Sequence, residues 1–468
     1  MDGASLLIVL LGGMVIVGLV SVYYLGEVKR EAADLTPPPP IEPLPDGLPE
    51  PSADAPPAPP ATPEHEAALV ASRDQAVLLR RDFPPRPGAL SHWGGVPSVP
   101  RDFTWPFFVT TDGTERAMHH VLQLDCSTIP EAGRLGLMPD RGLIYVFLDL
   151  DWGIHWRWSV RYVDATPDQL VPAPVPASLP HAYGERASWR WPSTDAEWPR
   201  LLPAWSIDPV VVTGDPAAEV DEPDFWPGTV RLAARVAAID GAVVEARWFS
   251  TSHADGVLVR PWSSYPHDWR AVSILTGHLA RQARRQHLDH HVRQGVMTEA
   301  EADDSLVRLR AGAESWSARA AASPAWAPLT AAESDEVWQL VLDHQPVAHV
   351  ALADAVNDSL DATLAGNPDA ARVLPAEALD LVRSRHALAT RRADGELHVA
   401  DVDRMLSAPS YVQGDAEERI GEWILLLEMS SDEAIGHHFA EGVYQFWIRP
   451  ADLAARRFDL VELTASAY

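Results

Sequence analysis

The sequence predicts an α+β chain: an N-terminal transmembrane helix, then a duplicated, mainly antiparallel β-sheet body with an inserted helical region. Three observations carry that expectation. An uncharged apolar run occupies residues 3–26. Strand-like segments recur in the same order near both ends of the globular part. Between them, residues 268–390 set Leu and Val at helical spacing among Arg, His and Glu.

The apolar run, GASLLIVLLGGMVIVGLVSVYYLG, has 24 residues with neither charge nor proline. At about 1.5 Å per residue, a helix of that length crosses a hydrocarbon core of about 30 Å. A cleaved signal peptide, the competing reading, needs a positive n-region, whereas Asp2 stands here and Lys29 and Arg30 follow the run. The expectation is a single-pass anchor, N-out and C-in, with the main domain cytoplasmic. The membrane is thus an expected partner through residues 3–26. Residues 1–30 form the anchor. Residues 31–64 form a linker with 13 prolines between positions 37 and 63, a composition that favours a polyproline II spacer over a packed core.

Residues 65–468 read as one globular domain. In HWRWSVRYV, Trp156, Trp158, Val160 and Tyr162 alternate with polar residues, the period of a half-buried strand. The run Leu143-Ile144-Tyr145-Val146-Phe147-Leu148 after Gly142 suits a strand covered on both sides. In the middle, Gly295 breaks a helical pattern, Thr298-x-x-Glu301 restarts it as a capping box, and Thr330-x-x-Glu333 opens another helix. The repeat joins the ends. Leu122-Gln123-Leu124 matches Leu427-Glu428-Met429, Gly142 and its strand match Gly442 and Val443-Tyr444-Gln445-Phe446-Trp447-Ile448, and Pro97-Ser98 matches Pro409-Ser410.

The same residues carry a likeness. Trp93-Gly94-Gly95-Val96-Pro97-Ser98-Val99-Pro100, Trp105-Pro106, Leu122-Gln123-Leu124-Asp125 and the strand after Gly142 resemble, in order, the motif string of the YwqG-like family. So does the segment from Tyr411 to Phe458, through Gly442 and Ile448-Arg449-Pro450. The resemblance implies a duplicated, roll-like β-body and no established activity. It also shows a departure, since the second copy has Leu406-Ser407-Ala408-Pro409 where a glycine usually precedes the proline.

The formal charge, 37 − 66 = −29, argues against a nucleic-acid partner. Lys29 is the only lysine, so P-loop and lysine Schiff-base chemistry have no residue in the body. A single thiol, Cys126, excludes a zinc site of several cysteines. No cofactor and no metal is expected. His287 and His291 lie four apart, but no glutamate follows His287, so a solvated helix face is favoured. The doublets His119-His120 and His437-His438 offer a general base at most one to a pair, because strand neighbours point to opposite faces. The candidate binding residues are Gly94, Gly95 and Pro97 of the glycine turn, with Trp105, Gln123 and Asp125 of the adjoining motifs. The functional expectation is a membrane-anchored binding or interaction module for a protein or small-molecule ligand, without chemistry of its own. The alternative is a hydrolase using a His/carboxylate pair.

Overall fold

Apolar runs covered on both sides supply the central strands. Leu143–Leu148 and Ile424–Ser430 are buried at every position, whereas Trp158–Val163 buries only Val160 and leaves its neighbours half-exposed, as suits an edge. The computed structural model describes residues 62–110, 113–150, 157–183, 200–213, 244–245, 258–284, 292–367, 369–391, 397–399, 403–410, 415–432, 435–437, 439 and 442–467. Ten strands of these form one sheet: β1 (Gln75–Arg81), β2 (His92–Trp93), β3 (His119–Asp125), β4 (Leu143–Leu148), β5 (Trp158–Val163), β6 (Trp205–Thr213), β7 (Arg404–Met405), β8 (Ile424–Ser430), β9 (Gly442–Ile448) and β10 (Glu462–Ala467). Their order across the sheet is β5-β4-β3-β2-β6-β1-β7-β8-β9-β10.

That order reads alike from either end, with β1 and β6 paired at the centre. Every pairing in the sheet is antiparallel. The registers also agree. His92 faces Gln123, which faces Tyr145, which faces Arg161. Arg404 faces Glu428, which faces Gln445, which faces Thr464. Each half carries a one-residue bulge, between His120 and Leu122 and between Leu425 and Leu427. Gly142 and Gly442 therefore open equivalent strands, and Leu122-Gln123-Leu124 is equivalent to Leu427-Glu428-Met429.

The helices longer than five residues are α1 (Pro63–Ala71), α2 (Trp269–Arg284), α3 (Glu299–Ala321), α4 (Ala331–Asp343), α5 (Gln345–Gly366) and α6 (Ala376–Arg383). Thr298 and Thr330 cap α3 and α4 in full capping boxes with Glu301 and Glu333, as their spacing predicts. One face of the sheet, with Trp93, Leu122, Val146, Leu427 and Phe446, shares a continuous hydrophobic core with Leu279, Leu309, Val337 and Leu352 of α2 to α5. The opposite face carries smaller clusters, around Phe147 in the first half and Trp447 in the second.

The expected architecture is corrected in two respects. The copies do not make two similar sheets of a roll. Pairing of β1 with β6 fuses them into one sheet, which curls until its ends approach: Trp158 of β5 donates its Nε1–H to the Val461 carbonyl beside β10 at 2.8 Å, and Tyr162 stacks on Phe458. The result is a nearly closed antiparallel barrel-like sheet with a helical layer. The N-terminal transmembrane helix is not supported either. Among the described residues no helix is long and apolar enough to cross a membrane. The long helix α3 mixes Glu, Asp and Arg with its apolar residues and owes its length to amphipathic packing. The apolar run of residues 3–26 lies outside the described residues, as does most of the proline-rich linker.

Candidate functional site

The glycine turn follows β2 and reverses the chain against the segment 202–204. Gly94 and Gly95 have φ of 52° and 66°, where a side chain is strained, and a Cβ on Gly94 would run into the carbonyls of Leu202 and Pro203. Their amides are occupied: Gly94 donates to the Val121 carbonyl at 2.7 Å and Gly95 to the Leu202 carbonyl at 2.9 Å. Pro97 leads into a strap, Ser98–Pro100, that pairs with Leu170–Pro172 over the sheet. Gln123 fixes the strap, accepting the Ser98 amide at 2.6 Å and donating to the Leu90 carbonyl at 2.7 Å. Tyr145 donates to the Ser98 carbonyl at 2.7 Å. Trp105 is buried, donating to the Met118 carbonyl and standing edge-on to Phe147. Asp125 caps the short turn Cys126–Thr128 through Ser127. The six residues chosen from sequence thus belong to one neighbourhood, and the polar atoms named here are engaged with the chain itself.

Two histidines adjoin the same turn. His92 Nδ1–H donates to the Gly94 carbonyl at 2.9 Å and His120 Nδ1–H to the Gly95 carbonyl at 3.2 Å. Their rings lie 5.7 Å apart, and Phe147 stands 5.3 Å from His120. Burial holds both imidazoles below the usual histidine range, His120 pushed down to about 3 with a further contribution from His92. His120 Nε2 is buried without a hydrogen-bond partner. His119 points to the other face, where its ring reaches the Pro180 carbonyl and the Leu150 amide. His92 was not singled out in the sequence, although it directly precedes the Trp93-Gly94-Gly95 motif.

The second half answers each of these positions differently. Leu406, φ 51°, takes the left-handed conformation that Gly94 has in the first half. Arg404 stands where His92 does and forms an ion pair with Glu428 at 2.7 Å, both nearly fully buried. Glu428 accepts the Ser410 amide and hydroxyl, and Gln445 donates to the Ser410 carbonyl and to Glu428. Leu425 replaces His120. The strap at Pro409-Ser410 is thus held by the same two register positions, through a charged network.

A separate opening lies at the helical layer. A cavity of about 460 Å³ has His267, Asp268 and Ser334 on its polar side and Trp326, Leu329 and Val373 on its apolar side. Asp268 builds the floor by capping α2, accepting the Ala271 amide at 2.7 Å. Its second oxygen accepts the Thr363 hydroxyl from α5 at 3.0 Å, and His267 Nε2–H donates to that hydroxyl at 2.8 Å. Burial pushes the Asp268 carboxyl up and the His267 imidazole down. Arg260 ties the entrance loop to α4, donating to Asp335, Ser334 and the Tyr265 carbonyl. Trp262 Nε1 and His267 Nδ1 of this loop are buried without a hydrogen-bond partner. Sequence reading missed His267 and Asp268. The only local signal was an aspartate one residue before a helical pattern.

The remaining candidates are quickly placed. His287, His291 and His438 lie outside the described residues. Cys126 is fully buried, and burial with the Asp125 carboxylate pushes its thiol up to about 12, so it is no nucleophile. Among the described residues no three His, Cys, Asp or Glu side chains come together as metal ligands. No curated protein matches the chain. A family pattern does, over residues 91–208 and 332–465, two segments that contain β2 to β5 with the start of β6, and β7 to β9 with most of β10. The loop at His267 falls between the two segments, whereas Ser334 and Val373 fall within the second. With more than half its length matched, the chain belongs to the DUF1963 family, a domain of unknown function.

Proposed function

We propose that the chain is a YwqG-like binding module that takes a small molecule with a flat apolar face into the cavity beside Asp268. The cavity carries the reading: its 460 Å³ falls inside the range of about 300–1,000 Å³ usual for small-molecule sites, and it sets a few polar groups against an apolar wall. Trp326 offers the stacking surface, and Gly366 leaves room for that ring, since a Cβ there would strike it. His267 and Asp268 also bring a His/carboxylate pair to this cavity, but their hydrogen bonds run the wrong way for hydrolysis. The imidazole donates to Thr363 and Thr363 donates to Asp268, so His267 is not placed to take a hydroxyl proton from that residue. Thr363 is itself fully buried.

The test is saturation-transfer NMR with indole and with phenol. Both are expected to give signals from the intact chain that fall several-fold in Trp326→Ala and Val373→Asp. Signals unchanged in both variants would remove the cavity as the binding site.

A further inference from the structure

The cavity at the start of α2 sets an aromatic ring beside a buried carboxylate that has no counter-charge. The segment 325–328 lies along the start of that helix. The Ala325 carbonyl accepts the Arg270 amide at 2.8 Å, the Ala327 carbonyl accepts the Trp269 amide at 3.3 Å, and Asp268 forms a β-bridge with Pro328. Trp326 is thus two residues from the bridge partner of Asp268, at most about 7 Å of main chain, and both residues line the cavity. Asp268 is 3% exposed and accepts from neutral donors, the Ala271 amide and the Thr363 hydroxyl. His267, with Nε2 at 3.5 Å, is kept neutral by burial and spends its proton on Thr363. Arg270 lowers the proton affinity of the carboxyl least of the groups around it. A carboxylate this deeply buried ordinarily meets a cation, as Glu428 meets Arg404. Among the described residues no arginine or lysine lines the cavity, and the neighbouring Arg260 is spent on Asp335, Ser334 and the Tyr265 carbonyl.

We propose, resting on the reading of this cavity as a small-molecule site, that its ligand is a protonated arylalkylamine, with the ring on Trp326 and the ammonium at Asp268. The ammonium supplies the counter-charge that the chain itself does not. Each Asp268 oxygen accepts one printed-length hydrogen bond and has a lone pair left for a charge-assisted one. A short alkyl link spans the step from ring to carboxylate. Asp335 adds a second carboxylate to the lining, and the chain's net charge of −29 draws cations from a distance. A carboxylate ligand meets two aspartates there instead. Indole and phenol keep the stacking but forgo the ion pair, so they occupy the same site more weakly.

Calorimetric titration of the full chain with tryptamine, indole and indole-3-acetate at neutral pH compares one ring carrying a positive charge, none and a negative charge. Tryptamine is expected to bind about tenfold tighter than indole, the yield of one hydrogen bond to a charged group, and indole-3-acetate more weakly than indole. Added salt should weaken tryptamine and leave indole unchanged. Asp268→Asn keeps a side-chain acceptor for the Ala271 amide, and it should erase the preference for tryptamine while indole binds as before. Tryptamine no tighter than indole in the parent chain would overturn the ammonium ligand, with no variant needing to fold, and would leave the cavity standing as a site for flat ligands. A preference that persists in folded Asp268→Asn would overturn it too. If no ligand binds, or Trp326→Ala weakens neither indole nor tryptamine, the cavity and the ammonium ligand fall together.

Discussion

The first and second halves of the sheet share strand order, register and bulge, yet they hold their straps with different chemistry. In the first, Gln123 and Tyr145 grip Ser98 with neutral hydrogen bonds, and His92 and His120 face a pair of glycines. In the second, Glu428 and Gln445 grip Ser410, and the negative charge this introduces is met by Arg404. A buried carboxylate needs a partner, so the change at Gln123/Glu428 and the change at His92/Arg404 are one event. The comparison teaches that backbone geometry was kept while the side chains diverged. One copy clasps its strap through a buried ion pair, and the other through neutral hydrogen bonds.

The strongest challenge to this picture is to remove a copy. Strand β7 pairs with β1, and β8 to β10 extend the same sheet and core. Deleting residues 404–468 is therefore expected to abolish cooperative unfolding of the whole body. A truncated chain that still melts in one sharp calorimetric transition would show that the halves fold separately.

The repeat was legible because its signals are local and repeated in kind: a Leu-x-Leu or Leu-x-Met triplet, a glycine before a strand, a proline before a serine. The capping boxes at Thr298 and Thr330 were legible for the same reason. The single sheet was not. Its join, β1 against β6, pairs Gln75 with Thr213 across most of the first half, and neither strand carries a repeated motif. The equivalence of His92 with Arg404 was invisible because the residue types differ in size and charge. The cavity floor escaped too, since Asp268 and His267 acquire their geometry from Thr363 on another helix.

Among single substitutions the halves should respond unequally. Glu428→Ala leaves Arg404 buried without its counter-charge and is expected to cost about 3–5 kcal/mol. Gln123→Ala leaves only the Ser98 amide and the Leu90 carbonyl, for about 1–3 kcal/mol. Urea denaturation of the two variants makes the comparison. The double variant Arg404→Leu/Glu428→Gln, which removes both charges, should recover much of the loss. Equal losses for Glu428→Ala and Gln123→Ala would mean that the ion pair adds nothing the neutral bonds lack.

Titration distinguishes two buried groups, one in each half, with opposite signs. Burial pushes the Asp403 carboxyl, just before β7, up to about 8, against about 3.9 in an unfolded chain. The folded state then holds a proton that the unfolded state has lost, so this group favours folding at low pH and its contribution declines as pH rises from about 4 to about 8. His120 in the first half is pushed down to about 3, against about 6.5 unfolded. Its contribution is complete above about 6.5 and is lost as pH falls toward 3. Asp403→Asn keeps the acceptor for the Ser430 amide, so its gain over the parent should grow with pH and vanish near pH 4. His120→Leu, which installs the residue found at Leu425, should soften the acid limb without abolishing it, because His437 is depressed in the same way. Urea midpoints between pH 4 and 8 decide both, and parallel profiles for parent and variants would refute the assignment.

The smallest effect is expected at Tyr145. Its hydroxyl donates one bond to the strap, to the Ser98 carbonyl, while its ring stays packed against Phe103 in the cluster around Phe147. Tyr145→Phe removes the hydroxyl and keeps the ring, so a loss of about 0.5–1.5 kcal/mol is expected, the ordinary net value of one hydrogen bond. The strap should not detach, because Gln123 still accepts the Ser98 amide and Val99 still pairs with Val171. The equivalent Gln445 carries more, since the same side-chain nitrogen donates to Ser410 and to the buried Glu428 carboxylate. Gln445→Leu should therefore exceed Tyr145→Phe, and amide exchange at Ser98 and Ser410 gives the local readout: a modest rise at the first, a larger one at the second. If Tyr145→Phe were the costlier change, the ionic network of the second half would not be the tighter clasp, and the contrast between the halves would have to be read the other way round.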